Sequence, residues 1–178
     1  MEPITRPLVE ADVHSASQLD RKLFKEYGIS ESQLAEYIAQ HPTKSLALIA
    51  DNKFSGFATF EVLSQDSNPR DYVGKIPNAS RVLFIQQFTT TTNYSVVDMS
   101  MDKKLIETVE SKAKDLGCDE VWEALATTHP YSKAVNPEYD AFGFYNKNNY
   151  TFDPSSLIEW RPDDTVSIPC YLFRKELK

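Results

Sequence analysis

One unit of the sequence leaves this chain little freedom: an apolar run at Arg81–Phe88, a helical repeat at Met101–Leu116 and a second apolar run at Asp119–Ala126. Leu105, Val109, Ala113 and Leu116 recur at helical spacing, so the middle segment carries a single apolar stripe. Such a stripe must pack back onto the strands it joins, and a crossover helix between two strands makes them parallel neighbours. The ends of the helix are readable too. Ser100 or Asp98 stands where a cap belongs, Lys112 and Lys114 suit the negative end of the helix dipole, and Gly117 supplies the stop.

Upstream, Ile4–Leu8 predicts an opening strand, and Ala11–Glu26 a helix with Ala16, Leu19, Leu23 and Phe24 near one face, ended by Gly28. Ser30 precedes a second helix, in which Leu34, Tyr37 and Ile38 recur until His41-Pro42 closes it. Ser45–Ala50 and Gly56–Leu63 read as a hairpin turned at Asp51-Asn52-Lys53. Ser64–Ser80, polar and carrying Pro69, Gly74 and Pro77, reads as a long loop. After Ala126 come a His129-Pro130-Tyr131 loop, a helix containing Tyr145 and a strand near Tyr150–Phe152. A proline-rich excursion through Pro154, Pro162 and Pro169 then leads to a last strand at Cys170–Arg174. The expected fold is α/β, of the α+β type: one domain over residues 1–178 with a mixed sheet flanked by helices.

A chain of 178 residues, 41% hydrophobic, is long enough to bury roughly 70% of its unfolded surface in one core. Its net charge of −7 is spread, with 8 basic and 11 acidic residues up to position 80 and 11 and 15 after it. No basic face forms, so binding nucleic acid by phosphate neutralisation is not expected, whereas the overall field weakly favours a cationic partner such as an amine. No apolar run approaches the ~18 residues that span a bilayer, and the first thirty residues hold no apolar leader. The expectation is a cytoplasmic protein without a membrane partner. Cys118 and Cys170 lack metal-type spacing and read as buried free thiols, and no metal site is expected.

The stretch Ala141-Phe142-Gly143-Phe144-Tyr145-Asn146-Lys147-Asn148-Asn149-Tyr150 resembles the A-x-x-F-Y-x-K-x-G-F helix pattern of the GNAT N-acetyltransferase superfamily at Ala141, Phe144, Tyr145, Lys147 and the aromatic Tyr150. Asn149 replaces the glycine, and Asn too can take the left-handed conformation that ends a helix. The order of elements resembles the GNAT fold over nearly the whole chain. That resemblance implies a mainly antiparallel sheet with a V-shaped splay between two central parallel strands, admitting the pantetheine arm of acetyl-CoA. It also implies acetyl transfer to a primary amine of a small molecule or protein, and a homodimer is compatible with it.

The resemblance fails at the pyrophosphate loop. The pattern Q/R-x-x-G-x-G/A falls on Val97, Asp98, Met99, Ser100, Met101 and Asp102, and no diagnostic position matches. Asp98 and Asp102 are expected to oppose a diphosphate unless they turn away. Gln87, Phe88, Ser100, Met101 and Lys103 are the implied coenzyme contacts. An alkylamine with a pKa near ~10.4 must lose a proton before it can attack, and Glu123, the lone acid in an otherwise apolar strand, is the candidate base. Glu61 ranks below it, and His129 reads as incidental. Tyr145 takes, by resemblance, the role of proton donor to the departing thiolate. The alternative is a GNAT-like binding module that has lost coenzyme binding, as the missing glycines suggest.

Overall fold

The crossover does what its apolar stripe requires. In the computed structural model, which describes residues 2–64 and 81–178, strand β4 (Val82–Thr90) pairs in parallel with β5 (Glu120–Ala126) from Val82↔Glu120 to Ile85↔Glu123. The ladder stops there, although β4 runs on to Thr90 and β5 to Ala126. Helix α3 (Ser100–Asp115) joins them, with Leu105, Ile106, Val109 and Ala113 buried. Gly117, at φ +69°, ends it: Cys118 N–H donates to Ala113 O and Gly117 N–H to Lys114 O. Apart from Ser64, the long loop expected at Ser64–Ser80 lies outside the described residues.

The remaining strands are β1 (Ile4–Pro7), β2 (Ser45–Ala50), β3 (Lys53–Leu63), β6 (Leu157–Asp163) and β7 (Val166–Glu176). The seven strands hydrogen-bond in the order β1-β2-β3-β4-β5-β7-β6, and β1–β2, β2–β3, β5–β7 and β6–β7 are antiparallel. Helices α1 (Val13–Phe24), α2 (Glu31–Gln40) and α4 (Ala141–Lys147) complete the elements that matter below. Residues Met1–Phe60 with Gln86–Val109 form one compact unit, and Glu61–Ile85 with Glu110–Lys178 a second.

In the first unit the β2–β3 hairpin turns on Asp51 and Asn52, both at positive φ (49° and 60°), as a two-residue turn of the twist-compatible kind demands. Leu8, Val13, Ala16 and Leu34 pack with Ala47 and Phe57, joining α1 and α2 to the strands. Ser30 caps α2 reciprocally: Gln33 N–H donates to Ser30 Oγ at 3.2 Å, and Ser30 N–H to Gln33 Oε1 at 2.9 Å. Gly56 lets β3 lie close to the end of β4, since a Cβ there would sit 2.8 Å from Thr89 O and 3.1 Å from Thr90 Cα.

In the second unit β5 and β7 pair over seven residues, Glu120↔Glu176 to Ala126↔Cys170. Two expectations are corrected here. The strand near Tyr150–Phe152 is reduced to a single bridge, Thr151↔Arg174. The proline-rich excursion is instead β6 and the start of β7. β6 is an edge strand whose register shifts between Trp160 and Asp163, and an edge or irregularity is where a sheet tolerates a missing backbone N–H. Cys118 and Cys170 are both free and buried, as the sequence suggests. Among the described residues no helix is long and apolar enough to cross a membrane.

Gly56→Ala should cost about 1–3 kcal/mol, because the obstructing atoms are strand backbone rather than a movable side-chain tip. Urea denaturation of the variant checks this; an unchanged midpoint would show that the strands separate freely there.

Candidate functional site

Two glutamates on β5 receive opposite treatment. Glu120 is satisfied: Trp122 Nε1–H donates to Oε2 at 2.6 Å, and the Arg174 guanidinium, whose Cζ stands 5.1 Å from the Trp122 ring centroid, donates to both oxygens at 2.9–3.0 Å. Glu123 is paired by register with Ile85 and Phe173 and is 7% exposed. Its buried Oε2 has no hydrogen-bond partner among the described residues. Burial alone raises its carboxyl well above the ordinary range. A buried acid left in this way is costly to the fold, and a pKa perturbed like this marks a candidate for proton transfer.

Tyr145 lies on α4, fully buried, with ring centroids 5.1 Å from Tyr150 and 5.2 Å from Phe144 in edge-on contacts, and 5.5 Å from Phe173. Asp140 caps the helix by accepting from Gly143 N–H at 3.0 Å. At the other end Asn149 takes φ 66° and Tyr150 N–H donates to Tyr145 O at 3.0 Å, so asparagine makes the left-handed turn expected of it. Tyr150 then places its ring on Tyr145 and donates its hydroxyl to Glu110 Oε1 at 3.1 Å. Lys175 completes this group, its ammonium 2.7 Å from Glu110 Oε2.

Sequence reasoning missed Glu110 and Lys175. The available signal was that Glu110 follows Ile106 by four residues and precedes Ala113 by three, which puts a carboxylate beside the buried stripe of α3. His129 is a structural residue of its loop. Its Nδ1 accepts from Tyr131 N–H at 3.1 Å, and burial lowers its pKa to about 4.

In the first unit the end of β4 and the segment before α3 are held by two buried aspartates. Asp20 accepts from Thr89 Oγ1 at 2.9 Å and from Ile29 N–H at 2.8 Å. Asp102 accepts from Thr90 Oγ1 at 2.6 Å, from Thr92 Oγ1 and from Tyr94 N–H at 3.3 Å. Burial raises both carboxyls in spite of these bonds. Asn93 and Tyr94 take the left-handed backbone (φ 51° and 59°) that glycines would adopt more easily. Asp102 thus turns inward and is fully buried. Asp98 stays exposed and accepts from Ser100 N–H at 2.8 Å, a bond that lowers its carboxyl.

The residues singled out as coenzyme contacts fall into two groups. Gln87 accepts from Thr59 Oγ1, and Phe88 is buried with its ring stacked on Tyr94 at 5.9 Å. Ser100 and Lys103 are exposed on the first turn of α3, with Met101 half-buried between them. Among the described residues Lys103 makes a loose ion pair with Glu107, at 3.8 Å.

No family model and no curated protein matches the chain. Solved structures do. The PaiA N-acetyltransferase of Thermoplasma acidophilum, in complex with coenzyme A, is 16% identical with a TM-score of 0.65, over 99% of this chain and 100% of that one. An isobutyryl-CoA complex of GphF, a GNAT-like decarboxylase, gives 13% and 0.69 over 98% and 100%. A chain of the NatC complex bound to Gag peptide and CoA gives 15% and 0.64 over 100% of both. At these identities the likeness establishes the fold, which is the GNAT fold; the decarboxylase among them shows that one fold carries more than one chemistry.

Two outcomes follow. Asp102→Ala, which strips Thr90, Thr92 and the Tyr94 amide of their acceptor, should cost about 1–3 kcal/mol in thermal unfolding, whereas Asp98→Ala should cost less. Glu123→Gln should stabilise the protein at neutral pH. Above the ordinary value of 4.5 the unfolded chain has released this proton while the folded chain keeps it, so wild-type stability falls as pH rises toward the folded pKa. The advantage of the variant should be absent below about pH 4.5 and grow by about 1.4 kcal/mol per pH unit above it. Denaturation midpoints at several pH values measure this; a Gln variant less stable than wild type at pH 8 would refute it.

Proposed function

We propose that the chain is a GNAT-type acyltransferase that moves an acetyl group from acetyl-CoA to a primary amine of a small molecule or protein. The observation carrying the reading is Glu123, a buried carboxylate with an unpartnered oxygen at the last rung of the parallel β4–β5 ladder. An alkylamine is protonated at neutral pH, and a carboxyl raised by burial is a better match to that proton than an ordinary one. Glu123 takes the proton from the amine. Tyr145 gives its hydroxyl hydrogen bond to the sulfur as negative charge develops there.

Acetyl-CoA supplies the acetyl group as an activated thioester. The first turn of α3 fits its diphosphate through the exposed Ser100 hydroxyl and Lys103 ammonium, with the Asp102 carboxylate already turned inward. Gln87, Phe88 and Met101 serve the pantetheine arm and shape its surroundings. The absence of glycine from the segment before α3 favours a second reading, a binding module without coenzyme.

Calorimetric titration with acetyl-CoA and with free CoA separates the two: saturable binding supports the transferase, and its absence the module. Given turnover, Glu123→Gln should lower kcat/KM by roughly 10²–10⁴-fold and abolish the limb that rises with pH as the carboxyl ionises. Tyr145→Phe should lower kcat with little effect on CoA affinity. Losses below about threefold in both would remove these residues from the chemistry.

A further inference from the structure

The segment that leads from β4 into α3 turns its polar groups on itself. Asn93 N–H donates to Thr90 Oγ1 at 3.0 Å, Tyr94 N–H to Asp102 Oδ1 at 3.3 Å and Ser95 N–H to Thr92 O at 3.0 Å. Val97 N–H donates to Ser95 Oγ at 3.3 Å, and Ser100 N–H, at the start of α3, to Asp98 Oδ1 at 2.8 Å. The Ser100 side chain bonds the same carboxylate, and the two bonds hold Asp98 below its ordinary pKa, an anion at neutral pH. A loop that cradles a diphosphate works the other way: its amides are left unmatched, and glycines let the phosphates come close. This segment has no glycine between Thr90 and Asp102, and Val97 stands 91% exposed on it. The lysines that follow are each drawn to an acid, Lys103 to Glu107 at 3.8 Å and Lys104 to Glu2 at 3.5 Å.

We propose that Asp98 sets donor specificity: its carboxylate holds the anion position at the start of α3, so the chain selects an acyl donor by the pantetheine arm and draws little from the diphosphate. The proposal rests on the transferase reading above. It defines the donor as the class of S-acyl pantetheines, with acetyl-CoA one member and the nucleotide dispensable. The reason is competition for one place. The positive end of the helix dipole and its first amide serve one anion at a time, and a carboxylate two residues away along the chain has a higher effective concentration than a free ligand. A diphosphate that reaches Ser100 and Lys103 must therefore displace Asp98 or lie against it as a like charge. Asp102 does not share the role, because its buried carboxylate accepts from Thr90, Thr92 and the Tyr94 amide. Asp98 is exposed, so replacing it removes no core contact.

Two measurements on the whole protein test this. In calorimetry, wild type should bind acetyl-CoA and acetyl-pantetheine, which lacks both phosphates and the nucleotide, with Kd values within about threefold of each other. Asp98→Ala should bind acetyl-CoA about tenfold more tightly and acetyl-pantetheine as before. Asp98→Asn, which keeps an oxygen for the Ser100 amide, should gain less than Asp98→Ala. A wild type that prefers acetyl-CoA by more than about tenfold, an unchanged ratio in Asp98→Ala, or equal gains in the two variants would overturn the proposal. The second measurement needs no thioester. Inorganic pyrophosphate added to ¹⁵N-labelled protein should shift the Ser100 and Met101 amide resonances saturably in Asp98→Ala and leave them in place in wild type. If wild type binds neither thioester, the transferase reading fails, and the pyrophosphate experiment still decides on Asp98: no shift in the variant, or the same shift in wild type, removes it as the resident anion. Should Asp98→Ala not fold, the comparison of the two thioesters in wild type carries the test.

Discussion

Much of the first unit depends on consecutive residues of β4 being held by different carboxylates. Thr89 sends its hydroxyl to Asp20 of α1 and Thr90 to Asp102 of α3. Each aspartate also takes a backbone amide, of Ile29 and of Tyr94, from a segment that leaves its own helix or strand. Polar groups buried in this way stabilise little in absolute terms, but they are costly to disconnect, so they select one arrangement over its near relatives. The end of β4 and the left-handed Asn93–Tyr94 pair are thereby fixed by the fold itself.

The second unit applies the same physics with the opposite sign. Glu120 and Glu123 lie three residues apart on one strand, and the first is saturated by Arg174 and Trp122 while the second is left with a buried, unpartnered oxygen. Adding a cation beside Glu123 would remove the penalty and hold the group ionised, and with it would go the raised pKa that suits proton transfer. The strand therefore carries one acid that is saturated by its partners and one whose burial costs stability, which the proposed function would turn to proton transfer.

What could be read in advance divides by distance along the chain. The crossover, the Gly117 stop, the Ser30 cap and the left-handed Asn149 all follow from residues within a few positions of one another, where periodicity and capping chemistry operate. The burial and raised pKa of Glu123 were legible because an acid inside an apolar strand is anomalous in itself. The grip of Asp102 on Thr90 and Thr92 was not, since an aspartate in the first turn of a helix already has an adequate local explanation in the helix dipole. Tyr150 and Lys175 meet Glu110 across 40 and 65 residues, and no local pattern encodes a partner so far away. β6 was hidden for a different reason. Prolines argue against a strand unless it is known to be an edge, and edge position is a property of the finished sheet.

The two thiols give the molecule an internal clock. Cys118 stands between α3 and β5 and Cys170 within β7, and burial holds both above the pKa of an exposed thiol. Only the thiolate reacts with alkylating reagents, so in the folded state both should be slow, Cys170 more so. Any motion that bares them exposes a group that reacts faster. The rates at which the two cysteines take up a label, compared with each other and with full unfolding, therefore report separately how often the crossover junction and the β7 strand come open, without introducing a single foreign residue.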